Sequence, residues 1–377
     1  MNKKKLNIKE FYKEICKLAP SEYDASKCDF PEHLENILNS YYKLLDELDE
    51  SERPEQESVT WEEIKNQIKD ISDAINESVK AYYDGRHSKA FECLRRGIIK
   101  ESFFINVSAK DYYRMRIFDE GEKHNRNVMF HIPLDKRTIV KTQRFSAPGY
   151  PCLYLGSSVY VCWEEMQRPN LDKCYVSRFT ACISVYDLSL PSINDIEMWS
   201  MFEQSGMMGI SEQYLRQILL KLPLILACMV KVAKPKDSFK PEYIIPQLFM
   251  EWVIEEKNKS DTRKIHGIAY TSVQKSDDFG FDPEKSINYV FPAFPPFKGN
   301  YSEELCKRFQ LTEPTCDELE RAKCPYQPVW KSENMSPDEE RKYNYRISTF
   351  GHLEARLKDE KKFPLEKIEE EKIQHQR

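Results

Sequence analysis

Between residues 101 and 300, strand-like and helix-like stretches follow one another without regular alternation, and this order restricts the fold more than any other feature of the chain. A doubly wound parallel sheet needs strands and helices in strict turn, so an α+β fold is expected, with mixed twisted sheets and flanking helices. YYRMRIF (112–118) and PCLYLG (151–156) have strand composition, and SVYVCWEEM opens a helix capped by Ser157 or Ser158. Over 176–187, Phe179, Ala181, Ile183 and Val185 alternate with Arg178, Thr180, Cys182 and Ser184, the period-two pattern of a half-buried strand. Helices are expected over 211–232 and 242–256, and strands over 266–273 and 287–291.

Residues 1–100 read as a polar helical region. Leu34, Ile37, Leu38, Tyr41, Leu44, Leu45 and Leu48 fall at helical spacing over 31–49. The run 50–60 has no apolar period and reads as a linker. Thr60, three residues before Glu63, forms a capping box that opens a helix over 61–83, and another helix follows over 88–98. A third region, 301–377, ends in a charged helix-prone tail that Pro364 interrupts. The expected division is therefore a helical region 1–100, a catalytic domain 101–300 and an extension 301–377.

Composition narrows the function classes. Lys plus Arg number 57 against 62 Asp plus Glu, a net charge of -5, so no surface-wide field gathers DNA and any anion site is local. The eleven cysteines include no CxxC pair, and Cys162, Cys182 and Cys228 lie in apolar runs where a thiol acts as a small hydrophobe. The longest apolar run, LPLILACMV, is nine residues, short of the roughly twenty that span a membrane. With no apolar signal segment behind the basic start, a cytoplasmic protein is expected. The eleven glycines never approach GxGxxG or GxxxxGK[ST] spacing, and no HExxH or CxxC metal pattern occurs, so no metal is expected. A nucleotide would have to be held by side chains.

The segment QRFSAPGYPCLYLGSSVYVCWEEM (143–166) sets an anion binder, Arg144, a ring, Tyr154, and a carboxylate, Glu165, along a strand-then-helix pattern. Arg144 precedes a turn made by Ser146, Pro148 and Gly149, where a guanidinium clasps a diphosphate or merely sits at the surface. At about 100° per residue, Glu165 projects between Val161 and Cys162 at the edge of an apolar cluster, while Glu164 points away with Tyr160. Tyr154 is a core position or a stacking platform. Arg114 and Arg116 share one face of their strand, solvated, ion-paired or directed at an anion. Ser272, at the end of an apolar strand, caps a backbone group or binds ligand.

Taken in order, YYRMRIF, the 143–166 segment, VYDLS (185–189), EYIIPQ (242–247) and HGIAYTSV (266–273) resemble the RES domain family, named for an arginine, a glutamate and a serine. The likeness spans roughly 110–295. It implies a fold similar to ADP-ribosyltransferase toxins and an enzyme that cleaves the nicotinamide–ribose bond of NAD with water or phosphate. NAD is then substrate, not cofactor. Glu165, Arg144 and Ser272 take the catalytic positions, and Arg114, Arg116, Arg144, Tyr154 and Ser272 the NAD-binding ones. Ser146 stands where the family often has Asn, and Arg116 competes with Arg114 for the first-strand role. The resemblance also implies a toxin restrained by an antitoxin protein; a homodimer is a further expectation. Protein ADP-ribosylation, or a non-catalytic helical adaptor or RNA-binding protein with an inactive RES-like domain, are the alternatives.

Overall fold

In a computed structural model of the full chain, the described residues are 5–54, 59–98, 104–106, 110–118, 124–191, 208–259, 265–274, 283–317 and 335–364. Part of the expected linker (55–58), Cys324 and the tail beyond 364 lie outside them. The fold is α+β. Two compact units interleave along the chain, a different partition from three consecutive regions. The first holds Met1–Ile105, Thr142–Phe145 and Tyr186–Asp261, and the second Asn106–Lys141, Ser146–Val185 and Thr262–Arg377.

The first unit is helical, and its helices start where side chains satisfy the free N–H groups of the first turn. Asn7 and Thr60 form capping boxes for Ile8–Leu18 and Trp61–Tyr83, and Asp29 caps Phe30–Leu45. Ile64, Ile68, Ile71, Ile75 and Val79 bury one stripe of the long helix. Its neighbour His87–Gly97 approaches so closely at Gly97 that a Cβ there would stand 2.8 Å from Ala74 Cβ. The helix Met208–Cys228 contains the LPLILAC part of the apolar run, with Leu215, Leu219, Leu222, Ile225 and Leu226 all buried, and Leu219 O accepts from Tyr41 Oη at 2.8 Å. Ile244–Lys259 follows, stacking Phe249 on Trp252. A parallel pair, Ser21–Glu22 with Val230–Lys231, ties the N-terminal part to this later segment.

The second unit is built on antiparallel ladders. Its strand order runs Phe363–Pro364, Gln310–Leu311, Cys174–Ala181, Lys110–Ile117, Cys152–Gly156, Ile287–Pro292, Gly267–Thr271, and Ser184–Leu188 and Phe104–Asn106, where the chain changes unit, bring the sheet to nine strands. Adjacent residues point to opposite faces, so Tyr112 joins a core with Leu153, Leu155, Phe179 and Phe291, while Tyr113 joins a second core with Met115, Val159, Tyr160 and Val176.

That second core corrects one expectation. Cys174–Ala181 is covered on both faces, because Tyr345, Phe350, Leu353 and Leu357 pack over the side expected to face solvent. Arg178 is consequently buried, paired with Asp111 at 2.8 Å and donating to the carbonyls of Leu357 and Lys358. The expected single strand over 176–187 also breaks at Cys182, which is exposed instead of acting as a core thiol. Among the described residues, no helix is long and apolar enough to cross a membrane.

Candidate functional site

The helix Val159–Glu165 starts where predicted, with Ser158 as its cap, accepting from Val161 N at 3.0 Å. Gly156, the last strand residue before it, sits directly beneath the first turns. A Cβ at Gly156 would meet Val161 Cγ1 at 2.5 Å and Cys162 Sγ at 2.7 Å, so this close strand-to-helix approach needs glycine. From the opposite side comes a carboxylate. Glu354, buried in the helix Thr349–Asp359, accepts from Val159 N at 2.8 Å and from Tyr345 Oη, with Lys285 Nζ at 3.4 Å. Burial pushes the Glu354 carboxyl up from its ordinary value.

Glu165 ends this short helix. Its Oε1 accepts from Ser272 Oγ and from Asn288 Nδ2, both at 2.6 Å. Ser272 is fully buried and held by its backbone N–H on Ser286 O at 2.8 Å, while its hydroxyl also receives Gln274 N at 3.1 Å. Asn288 is fixed inside the sheet between Gly156 and Tyr270. Two neutral donors thus clamp one oxygen. Among the described residues Oε2 has no partner and no cation pairs with the carboxylate, whose side chain is exposed. The group is fixed in place, with its charge left uncancelled.

The helix-face reading is corrected on burial. Glu164, not Glu165, is the covered carboxylate, because it lies four residues from Tyr160 on the side packed under Phe350. Its charge is met by Arg168 at 3.1 Å. Glu165, singled out from the sequence, is an accessible residue, and its partners come from remote strands.

Arg114 and Arg116 brace one segment through Nη1. Arg114 donates to the carbonyls of Met129 and Phe130, and Arg116 to that of Val128. Burial and the neighbouring Arg116 bring the Arg114 pKa down to about 10, so the group stays cationic at neutral pH. The partly buried Cys162 thiol, pushed up to about 12 by desolvation, feels Glu165 and, in the opposite sense, Arg114. These two charges therefore lie within electrostatic reach of one atom. Tyr154 is half-buried in its strand, its hydroxyl 3.0 Å from Ser146 Oγ.

Arg144 belongs to the first unit. Its Nη1 donates to Cys228 O at 2.8 Å and Val230 O at 3.0 Å, and its guanidinium lies 5.4 Å from the Tyr243 ring centre. Gln247 fixes the preceding residues by donating to Thr142 Oγ1 and Gln143 O. The EYIIPQ motif thus holds the Arg144 segment. Arg144 is buried at 8% exposure, which replaces the surface-turn reading with that of an anchored cation.

Over 359 residues the sequence is 30% identical to a Bacillus subtilis (strain 168) protein named "Putative toxin YopC", a match covering 88% of this chain and 78% of that protein. The chain belongs to the YopC family. No family model matches it, and no solved structure matches it. At 88% of the chain, the YopC likeness reaches beyond the 110–295 stretch that carries the motifs. Of the site seen in this YopC-family chain, Asn288 is the residue that sequence reading missed. INYVF is recognisable as a strand, but nothing in its pattern sets its asparagine opposite Gly156 and beneath Glu165; that register is a property of the sheet.

Proposed function

We propose that this chain degrades NAD by cleaving the bond between nicotinamide and ribose, and that it acts as a toxin. The observation that carries the reading is the Glu165 carboxylate, clamped on Oε1 by Ser272 and Asn288 with Oε2 left to face a ligand. Breaking the C1′–N bond sends its electron pair to the nicotinamide ring and leaves positive charge on the ribose. A fixed carboxylate stabilises that oxocarbenium-like state and grips a ribose hydroxyl. Water or phosphate then forms the new C1′–O bond and releases a proton to solvent. Arg114 and Arg116 are assigned the pyrophosphate, through guanidinium nitrogens other than the Nη1 atoms engaged with carbonyls. Tyr154 is assigned the ring face of the ligand. The RES-like order of these residues supports NAD cleavage, while the name of the YopC relative supports the toxin part alone, and an antitoxin that restrains the activity belongs with it.

The test is incubation of purified full-length protein with NAD, with and without phosphate, followed by product analysis. NAD loss with release of nicotinamide is expected, and Glu165→Gln lowers the rate by about 10²–10³-fold, the usual scale for losing one preorganised electrostatic group. Unchanged NAD at stoichiometric enzyme in both buffers overturns the proposal. ADP-ribose appearing on a protein and not free in solution replaces it with protein modification.

A further inference from the structure

Consecutive residues from Lys285 to Asn288 reach every part of the Glu165 clamp. Lys285 O accepts from Ser158 Oγ at 2.5 Å, Ser286 O accepts from Ser272 N at 2.8 Å, and Asn288 donates to Glu165 Oε1 at 2.6 Å. Between them, Ile287 N donates to Ser157 Oγ at 3.1 Å and Ile287 O accepts from Ser157 N at 2.8 Å. This run therefore joins the start of the helix Val159–Glu165 to the donors that meet its last residue.

A single carboxylate closes the arrangement from the other side. Glu354 Oε1 accepts from Val159 N at 2.8 Å and from Tyr345 Oη, while Oε2 faces Lys285 Nζ at 3.4 Å. That ammonium lies 4.7 Å from the Tyr345 ring centre, and 31% of the lysine side chain is exposed against 7% for Glu354. A covered carboxylate keeps its charge only with such a cation and such donors beside it. One acidic group thus holds the helix start with one oxygen and the 285–288 run with the other. The helix is seven residues long, roughly 10 Å at the usual rise, so a tilt at Val159 is carried to Glu165 at its far end. Glu354 itself belongs to Thr349–Asp359, whose Phe350 packs on Tyr160 at 5.5 Å between ring centres and which lies outside the 110–295 stretch that carries the motifs.

We propose that Glu354 and Lys285 are positioning residues for Glu165, locking the start of its helix to the 285–288 run, so that the C-terminal helix Thr349–Asp359 is a working part of the NAD-cleaving site. The assignment rests on the NAD-cleaving reading of Glu165. Neither residue touches the ligand; both act through Val159 and the run that carries Asn288. Displacing a preorganised group by about 1 Å costs on the order of 10²-fold in rate. The pyrophosphate contacts assigned to Arg114 and Arg116 are untouched, so the loss falls on kcat and not on KM.

The test compares NAD cleavage by the full-length wild type, Lys285→Met, Glu354→Gln and the double variant, each well below its unfolding midpoint. In each single variant kcat is expected to fall about 10–100-fold while KM for NAD stays within about twofold. The double variant is expected to be no slower than Glu354→Gln by more than about twofold, because the two residues serve one contact. Lys285→Met keeps the apolar stem of a partly exposed side chain and so guards against a folding defect at the buried Glu354. Leu311→Ala, which opens a cavity in the other core, serves as the stability control: its unfolding midpoint falls and its kcat stays within about twofold of wild type. In Lys285→Met, where Val159 N retains its acceptor, amide hydrogen exchange across 160–166 quickens severalfold. A wild type inert towards NAD overturns the proposed reaction, and the exchange measurement then decides the positioning by itself. With an active wild type, unchanged kcat in Lys285→Met and Glu354→Gln, a loss confined to KM, or an equal kcat loss in Leu311→Ala overturns the positioning role, and so does unchanged exchange.

Discussion

Ser272 Oγ donates to Glu165 Oε1 at 2.6 Å, although 107 residues separate the two in sequence. Asn288 donates to the same oxygen. The pair therefore acts as a bracket that fixes one carboxylate oxygen and presents the other.

With NAD as substrate, Ser272→Ala and Asn288→Ala each reduce kcat/KM by about 10–100-fold, the equivalent of roughly 1.5–3 kcal/mol for a hydrogen bond to a charged group. Since both donors serve one oxygen, the double variant loses less than the product of the single losses. Steady-state kinetics on the four proteins decides this; strictly multiplicative losses would mean that the donors do not share a function.

Gly156→Ala places a Cβ against Val161 and Cys162. The helix carrying Glu165 has to shift, so NAD turnover is expected to fall, together with a loss of stability of about 1–3 kcal/mol from overpacking. Denaturant unfolding and turnover are measured on the same preparation. Wild-type values for both would show that the strand-to-helix contact is looser than described.

Glu354→Ala removes the acceptor for Val159 N and Tyr345 Oη at once. Leaving those buried donors unmatched costs about 1–3 kcal/mol each at most, and the unfolding midpoint falls accordingly. Glu354→Gln retains a carbonyl acceptor and is expected to lose less. An equal drop in the two variants would assign the effect to packing instead.

His131 is buried and neutral, with Nδ1 donating to Ile132 O at 2.8 Å and Nε2 accepting from Ser302 N at 3.0 Å. Burial pushes its pKa from 6.5 down to about 4. As pH falls, the unfolded chain takes up this proton before the folded one, so the contribution is complete above pH 6.5 and is lost progressively towards pH 4. The loss across the whole window is roughly 3 kcal/mol. His33 and His352 shift in the same direction, so the comparison is made against His131→Gln. Urea unfolding from pH 7.5 to 5.5 is expected to show a steeper decline for the native protein; parallel curves would remove His131 from the account.

Much of the local structure was legible in the chain. The capping box at Thr60, a serine cap at Ser157 or Ser158 and the apolar spacing of 31–49 each specify a helix through contacts within a few residues, and each helix is present, the last cap falling to Ser158. Glu165 and Ser272 were named on pattern and resemblance, and they meet in the fold. Glu164 and Arg178 were misjudged because what covers them, Phe350 and the carbonyls of Leu357 and Lys358, comes from elements more than 150 residues away.

The sequence by itself determined the helix starts, the strand compositions and the irregular order that excludes a doubly wound sheet, because those depend on neighbours along the chain. Only the tertiary structure decided which carboxylate is open, that Asn288 joins Ser272 on it, and that Arg144 is anchored by the backbone of Cys228 and Val230. The reason is physical. Burial and hydrogen-bond partnership are set by sheet register and by which helix covers which face, and neither quantity is encoded in the spacing of nearby residues.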